Sequence, residues 1–362
     1  MSSPSKWTRL FVKDSTVVPL TAIALGLVAG ALIMLIGGYN PVLAYTSLVQ
    51  KVVGDPYSIG ETVREITPLL LTGLSVAFAF RTGLFNIGAE GQFIMGMTGA
   101  TFIGVKLQLP LLLHAPLAIV TGAVLAGLWG AIAGYLKAKR GVNEVITTIM
   151  LNWIALFLSN YIIRTLLLQP GQQRSHNIRE TAMISLPGLS QMFDNARLHA
   201  GTIIAVLAAV AFYVLLWRTR QGYELRAVGH SPDAAEYAGM SVKTNMIKAM
   251  FVGGVFAGLA GAFEVLGVFH YQSIAASSPG YGFDGVAVAL LGGNHPLGVV
   301  LAAILFGSLT YGSAGMSFGA DVPPEIVRVI VGLVIFFVAS HGIVRYVLRP
   351  FAAGRRASKE VS

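Results

Sequence analysis

The chain of 362 residues contains no cysteine, which excludes disulfides, thiolate metal ligands and cysteine nucleophiles. Charged residues are scarce: they make up 11% of the chain, against about 25% in an average soluble protein. The dipeptide Gly-Lys never occurs, which excludes a Walker A loop and ATP hydrolysis by that route. The seven histidines include no H-x-x-x-H pair, and we find no convincing Ser/His, Ser/Lys or paired-Asp arrangement. We therefore predict neither a metal site nor an enzyme.

Long apolar runs dominate the sequence. Apolar residues make up 55% of the chain and the mean hydropathy is +0.71, which is typical of an all-α polytopic membrane protein. About 20 residues cross the hydrocarbon core, so the chain has room for about ten transmembrane helices. The predicted spans, some of them short or broken, are 16–37, 66–80, 87–105, 116–136, 142–163, 200–217, 246–268, 283–292, 296–314 and 325–347.

The segments around the spans predict the domain organisation. The predicted parts are a cytoplasmic tail at 1–15, a transmembrane domain at 16–348 and a basic cytoplasmic tail at 349–362. With both termini inside, roughly two thirds of the 25 lysines and arginines fall on the cytoplasmic side, as the positive-inside rule requires. This bias explains the net charge of +9 without a nucleic-acid partner. In this orientation 38–65 and 164–199 are extracytoplasmic loops, and 218–245 is a cytoplasmic loop.

We expect the chain to be organised around residues 81–92, R-T-G-L-F-N-I-G-A-E-G-Q. This stretch places Asn86, Glu90 and Gln92 beside or inside hydrocarbon, where a carboxylate costs roughly 2.5–3.5 kcal/mol. Such groups face a protein interior or a water-filled path, and the glycines between them allow bends. The stretch therefore predicts a broken helix at the wall of a pathway. The alternative is a surface loop in which Glu90 is a first-turn acid of the next helix.

The two halves of the chain resemble each other weakly. G-L-F-N-I-G at 83–88 precedes the third span, and G-Y-G-F-D-G at 280–285 precedes the eighth; G-V-N-E at 141–144 and V-P-P-E at 322–325 open the fifth and tenth. Because an offset of five spans is odd, matching spans would run in opposite directions. This pattern predicts a 5+5 inverted repeat, which transporters use to build a site between their halves. The alternative is chance similarity of glycine-rich membrane segments.

The cytoplasmic loop 218–245 contains a predicted short helix. Ser231 can cap it, Pro232 suits its first turn, and Gly239 would end it. A helix of about two turns with acidic residues suits docking into a groove on a soluble partner. The alternative is an amphipathic linker that rests on lipid headgroups.

These motifs together resemble one transporter family. G-L-F-N-I-G-A-E-G-Q and a cytoplasmic G-x-x-x-x-A-A-x-Y-A-G-M at 229–240 look like the permeases of bacterial ABC importers for simple sugars and nucleosides, a family that includes branched-chain amino acid permeases. The stretches G-Y-G-F-D-G-V-A-V-A-L-L-G at 280–292 and G-G-N-H-P-L-G at 292–298 resemble the nucleoside branch best. The resemblance covers about residues 15–348.

The resemblance implies a division of labour among subunits. It makes 229–240 the coupling helix that sits in a cleft of a separate ATPase subunit, which binds ATP and Mg²⁺, so no cofactor is expected on this chain. It also implies a second, related permease in a heterodimer, an extracytoplasmic solute-binding lipoprotein, and a place in the bacterial inner membrane. The residues expected to couple to the ATPase are Arg226, Asp233, Ala234, Ala235, Glu236, Tyr237 and Gly239.

Polar and aromatic residues in the spans are candidates for contact with the solute. Asn and Gln offer a donor and an acceptor to a sugar hydroxyl or a base edge, and Phe can stack on a base or sugar face. For each residue the alternative is a structural role in helix bonding or capping. The predicted substrate path contains Phe85, Asn86, Glu90, Gln92, Asn152, Phe283 and Asp284.

A second functional class remains open from the residues alone. In an ion-coupled secondary transporter, Glu90, Glu264 and Asp284 would carry protons or sodium ions. Such a transporter has no need for a cytoplasmic docking helix, so the predicted helix in 218–245 favours the importer.

Overall fold

The computed structural model describes residues 14–340, with side chains at 21–337 and 340. The predicted tails 1–15 and 349–362 lie outside the described residues, apart from residues 14 and 15. The last residues of the predicted span 325–347, beyond 340, also lie outside them. Within the described part of the chain, regular structure is helical, and β-pairing is limited to isolated bridges.

Fourteen α-helices follow one another in residues 14–340. They are α1 Asp14–Ile36, α2 Pro41–Val53, α3 Pro56–Arg81, α4 Ala89–Lys106, α5 Leu111–Arg140, α6 Glu144–Ile162, α7 Pro187–Met192, α8 Gly201–Tyr213, α9 Arg220–His230, α10 Pro232–Tyr237, α11 Val242–Phe263, α12 Tyr281–Leu291, α13 Pro296–Ala320 and α14 Pro324–Ala339. Single π-helical turns extend three of them: Ile163–Leu167 continues α6, Val214–Arg218 continues α8 and Glu264–Phe269 continues α11.

Six helices among the described residues are long and apolar enough to cross a membrane. They are Pro56–Arg81, Leu111–Arg140, Glu144–Leu167, Gly201–Arg218, Val242–Phe269 and Pro296–Ala320. Thr21–Ile36 and Tyr281–Leu291 are shorter apolar helices. The prediction of an all-helical polytopic membrane protein is therefore confirmed.

The prediction of a loop at 38–65 is wrong, because helices occupy most of this stretch. α2 lies inside this stretch, and α3 begins at Pro56 and runs for 26 residues, so the second predicted span starts ten residues too late. The backbone N–H of Ser58 donates to Asp55 Oδ1 at 2.8 Å, and Pro56 fits the first turn, where its missing N–H costs nothing. Pro68, near the predicted start of the span, lies inside the helix.

Small residues set the packing of α4, α5 and α11. A Cβ built on Gly122 of α5 would lie 2.6 Å from the Gly96 carbonyl oxygen of α4, and one built on Gly134 would lie 3.0 Å from Ile247 Cα of α11. Contacts this close require glycine, and they let the backbones gain dispersion energy where lipid removes the hydrophobic driving force.

The chain divides into two compact units, Val52–Tyr311 and a smaller unit formed by residues 1–51 and 312–362. The larger unit contains α3 to α12 and all the sites described below. In the smaller unit α1 packs against α14, where a Cβ on Gly26 would lie 2.7 Å from Val334 Cα. Its buried cluster consists of Met34, Ala44, Met316, Val322, Val327 and Ile330.

Candidate functional site

A buried break separates α3 from α4 within the predicted central stretch. α3 ends at Arg81, the next turn contains Gly83 at φ +75°, and α4 begins at Ala89. A positive φ of this size favours glycine. Asn86 in this turn is only 1% exposed. The predicted helix break is therefore present and buried, which contradicts the surface position of the alternative but agrees with its placement of Glu90 in the first turn of the next helix.

Two amide side chains hold the turn in shape. Asn86 Nδ2 donates to Gln92 Oε1 at 3.0 Å, and Gln92 Nε2 donates back to Asn86 Oδ1 at 3.2 Å. Asn86 Oδ1 also accepts from the backbone N–H of Gly88 at 3.0 Å. Buried amides without partners would be costly, and here each amide satisfies the other.

Asn152 of α6 forms hydrogen bonds with the backbone at the start of α4. Its Oδ1 accepts from the backbone N–H of Gly91 at 2.8 Å, and its Nδ2 donates to the Ile87 carbonyl at 3.0 Å. The first turn of a helix leaves N–H groups without intrahelical partners. Asn152 therefore caps α4 from another helix.

Glu90 joins the N-termini of α4 and α12. It lies in the first turn of α4, and its two carboxylate oxygens accept from the backbone N–H groups of Gly280, at 2.7 Å, and Gly282, at 2.6 Å. A Cβ on Gly282 would overlap the Glu90 backbone. A carboxylate at a helix N-terminus gains from the dipole and from charge-assisted hydrogen bonds. The Glu90 carboxylate thus lies at the N-termini of two helices at once.

The other predicted path residues lie in different surroundings. Asp284 is partly buried in the first turn of α12, beside the Glu90 contact. Phe283 on the same turn is 47% exposed. The Phe85 ring packs edge-on against Phe80, with centroids 4.8 Å apart. The structure thus gathers the predicted polar residues where α4 and α12 begin.

A buried ion cluster escaped the sequence analysis. Arg64 of α3 pairs with Glu61 at 2.9 Å, with Glu65 at 2.5 Å and with Glu264 of the π-helical turn after α11 at 3.5 Å. Arg197 approaches Glu61 from the loop before α8, at 2.6 Å between Nη2 and Oε2. The hydrogen bond with Glu61 raises the pKa of Arg197 above its ordinary value. Removing one partner from such a cluster would leave a buried charge without compensation.

The ion cluster and the Glu90 junction share one turn of α12. The Tyr281 hydroxyl donates to Glu65 Oε1 at 3.0 Å, and Gly282, the next residue, donates to Glu90. The E-x-x-R-E spacing at 61–65, together with the Asp55-Pro56 helix start, was the signal that could have revealed a charged helix here.

The short helix predicted in 218–245 is present as α10. Ser231 Oγ accepts from Ala234 N at 3.4 Å, Pro232 lies in the first turn, and Gly239 follows the helix at φ +81°. Ala235 is buried, and Tyr237 is 96% exposed. Among the other predicted coupling residues, Asp233, Ala234, Glu236 and Gly239 are exposed and Arg226 is half-buried.

A groove of about 380 Å³ lies beside α10, and it is lined by Arg226, His230 and Ala234 among others. Arg226 projects from α9, and its guanidinium lies 5.8 Å from the centre of the Trp217 ring. On the same ring, Arg81 from the end of α3 lies at 5.7 Å. The loop that carries α10 is therefore tied to the end of α3.

Neither a metal centre nor a hydrolase elbow is assembled in the described residues. No group of three or more His, Asp or Glu side chains there could hold a metal ion. The segment 315–319 does match G-x-S-x-G, but it lies within the continuous helix α13. A nucleophile elbow needs a sharp turn between a strand and a helix.

Comparison with known proteins places the chain in a family. Residues 58–339 match the family described as "Branched-chain amino acid transport system / permease component". The chain is 50% identical over 331 residues to the guanosine ABC transporter permease protein NupP of Bacillus subtilis (strain 168), covering 91% of this chain and 95% of the relative. It is 41% identical over 348 residues to the nucleoside ABC transporter permease protein NupB of Lactococcus lactis subsp. cremoris (strain MG1363), covering 94% and 95%.

A more distant relative is the glucose ABC transporter permease protein TsgB13 of Haloferax volcanii, which is 34% identical over 330 residues, covering 88% of this chain and 86% of the relative. The chain therefore belongs to the permease family that its motifs resemble, and it matches the nucleoside branch of that family.

Proposed function

We propose that this chain is the membrane-spanning permease subunit of an ATP-driven importer that carries a nucleoside, or a related sugar-like solute, across the bacterial inner membrane. The observation that carries the proposal is the 50% identity to a guanosine permease over 91% of this chain. Neither relative compared above at 40% identity or more is an ion-coupled carrier, so a secondary transporter that uses Glu90, Glu264 and Asp284 is not favoured.

ATP is hydrolysed on a separate subunit, which docks on α10 through the exposed face that ends in Tyr237. The permease pairs with a second, homologous permease, and a lipoprotein delivers the solute to the outer mouth. Movement of α10 reaches the pathway through a backbone contact, because Gly229 of α9 packs against Gly83 in the turn before α4. The same turn leads into the Glu90 junction with α12.

We assign ten of the described helices to membrane crossings. The six long helices together with α1, α4, α12 and α14 make ten, and α2, α7, α9 and α10 do not cross. In this topology α4 and α12 are matching members of a 5+5 inverted repeat, and their N-termini meet at Glu90 as half-helices do at a transporter midplane. Both termini are cytoplasmic, and the membrane domain is 16–348 with an outer loop at 164–199 and the coupling loop at 218–245.

The solute passes along the surface where α4 and α12 begin. In the conformation described here Asn86, Glu90, Gln92 and Asn152 are all bonded within the chain, so these residues must exchange partners to contact a solute. Phe283 and Asp284 are accessible beside them. Such a path would bind the solute weakly. Weak binding is sufficient if the binding lipoprotein, and not the path, selects the solute.

The test is uptake by proteoliposomes that contain the permease pair, the ATPase and the binding protein. We expect ATP-dependent accumulation of labelled guanosine that unlabelled nucleosides reduce and glucose does not. Liposomes with this chain alone should accumulate nothing under a proton or sodium gradient. Gradient-driven accumulation by this chain alone would refute the importer and favour the secondary transporter.

A further inference from the structure

An apolar groove of about 360 Å³ opens where α5, α9 and α11 meet the π-helical turn that follows α8. Its lining residues include Phe78, Leu128, Ala131, Leu215, Ile247 and Phe251. Its volume lies at the small end of the range of ligand pockets, about 300–1,000 Å³. The polar side chains in its lining belong to Thr219, Gln221 and Lys248.

Helix lengths place this groove at a membrane surface. α5 has 30 residues, so roughly 20 residues of hydrocarbon counted from Leu111 end near Ala131. A similar count back from Phe269 ends close to Lys248. The turn after α8 ends with Trp217 and Arg218, a pair that anchors helices at the headgroup level.

One lining residue, Lys248, is positively charged, and two arginines adjoin another lining residue in sequence. The Lys248 ammonium donates to Gln221 Oε1 at 2.8 Å, and no carboxylate within residues 21–337 forms a salt bridge with it. Arg218 and Arg220 flank lining residue Thr219 and are exposed. The acid beside them is Glu224, which pairs with Arg220 at 3.3 Å.

We propose that this groove binds one anionic phospholipid of the leaflet on the α10 side, with an acyl chain in the groove and the phosphate on Lys248. An apolar slot alone would accept any lipid tail. The Lys248 ammonium, which forms no salt bridge within residues 21–337, and the exposed Arg218 and Arg220 next to lining residue Thr219 favour a headgroup with net negative charge, because basic clusters near the membrane surface attract anionic lipids. A zwitterionic lipid offers the same tail but no net charge.

A lipid in this position would connect α5 and α11 of the membrane domain to the loop that carries α10. The groove joins α5 and α11 to α9, and α9 leads within two residues into α10. A bound lipid would therefore hold α9 against the membrane domain. This inference is independent of the solute and of the ATPase, because binding is measured on the permease itself.

The test measures lipids retained by the full-length protein in detergent, by native mass spectrometry, after titration with phosphatidylglycerol or phosphatidylcholine. We expect one phosphatidylglycerol per chain and weaker binding of phosphatidylcholine. Lys248→Gln should weaken phosphatidylglycerol binding about fivefold, which is the effect of one basic residue near an anionic surface. The control is Lys137→Gln, since Lys137 pairs with Glu144 at 2.8 Å and does not line the groove.

A second variant tests the acyl chain. Ala131→Trp fills the groove and leaves Lys248 in place, so retention of phosphatidylglycerol should be lost; if this variant does not fold, Leu128→Trp fills the groove from a lining position that is 54% exposed. Equal retention of the two lipids, an unchanged affinity in Lys248→Gln, or unchanged retention in the folded tryptophan variant would overturn the proposal. Displacement of the lipid by inorganic phosphate alone would also overturn it, since the groove would then hold only an anion.

Discussion

Gly229 of α9 lies against Gly83 of the turn before α4, so closely that a Cβ on Gly83 would lie 2.8 Å from Gly229 Cα. In the other direction, a Cβ on Gly229 would lie 2.6 Å from the Thr82 carbonyl carbon. This backbone contact joins the loop that carries α10 to the turn that precedes the Glu90 junction. Any side chain at either position must push the two segments apart.

We expect Gly229→Ala to lower both stability and ATP-driven uptake. Overpacking a close contact costs about 1–3 kcal/mol, and the shift separates the docking loop from the pathway. Thermal melting and proteoliposome uptake measure the two effects. The control is Gly188→Ala, because a Cβ at Gly188 would meet nothing within 4 Å. Normal uptake by Gly229→Ala would show that movement does not pass through this contact.

Arg64→Gln should destabilise the protein severely. The change leaves Glu61, Glu65 and Glu264 buried around a neutral side chain, and removal of one partner from a buried ion cluster costs about 3–5 kcal/mol. Arg220→Gln is the matched control, since the side chain of Arg220 is 94% exposed in its pair with Glu224 and exposed pairs contribute about 0–1 kcal/mol. Thermal melting in detergent compares the variants, and equal melting temperatures would contradict a structural role for the cluster.

Glu90→Gln should loosen the start of α12. The amide keeps one acceptor oxygen but presents an NH₂ group to a backbone N–H of Gly280 or Gly282, so one charged hydrogen bond, worth about 1.5–3 kcal/mol, is lost. Hydrogen exchange of residues 280–285 should increase, and uptake should fall. Glu180→Gln, at an exposed site in a short 3₁₀ turn, should change neither. Unchanged exchange at 280–285 would argue against the junction.

Tyr237→Ala should weaken docking of the ATPase while membrane insertion stays normal. An aromatic side chain that becomes buried in an interface commonly contributes about 2 kcal/mol, or about thirtyfold in affinity. Replacing Asp233, Glu236 and Tyr237 together should abolish docking. Pulldown of the ATPase measures the effect, with Tyr161→Ala as a control at another exposed tyrosine, on α6. Undiminished pulldown by the triple variant would refute the coupling role of α10.

Stability should depend on pH through His199. Burial lowers the pKa of His199 to about 4, whereas the unfolded chain titrates near 6.5. Between these values the unfolded state binds the proton and the folded state does not, so stability rises with pH from about 4 to 6.5 and is level above. The full effect is about 3 kcal/mol. His199→Gln should reduce the rise in melting temperature between pH 4.5 and 6.5, and the exposed His176→Gln should not; a rise that is as steep in His199→Gln as in the unchanged protein would contradict this assignment.

The sequence was sufficient for features that depend on local chemistry. The break at 81–89 follows from polar residues and glycines between two apolar runs, and α10 follows from its cap, its proline and the terminal Gly239. Both are present. The roles of the polar residues at the break were harder to predict, because Asn152 and Gly280 approach them from distant parts of the chain.

The ion cluster was missed for a related reason. Glu61, Arg64 and Glu65 have the composition of a loop when they are considered alone. Their neutralisation depends on Arg197 and Glu264, which lie more than 130 residues away in sequence. Hydropathy assigns a cost to each charge in isolation, so the predicted span starts at residue 66 although the helix starts at Pro56.

Tyr237 stands almost bare at the tip of α10. An exposed aromatic ring in this position can be bound by proteases, chaperones or detergent when the protein is produced without its partner subunits. If α10 docks on the ATPase as proposed, yields of intact protein should improve when the gene for the ATPase is expressed in the same cell, since the ATPase would cover this ring.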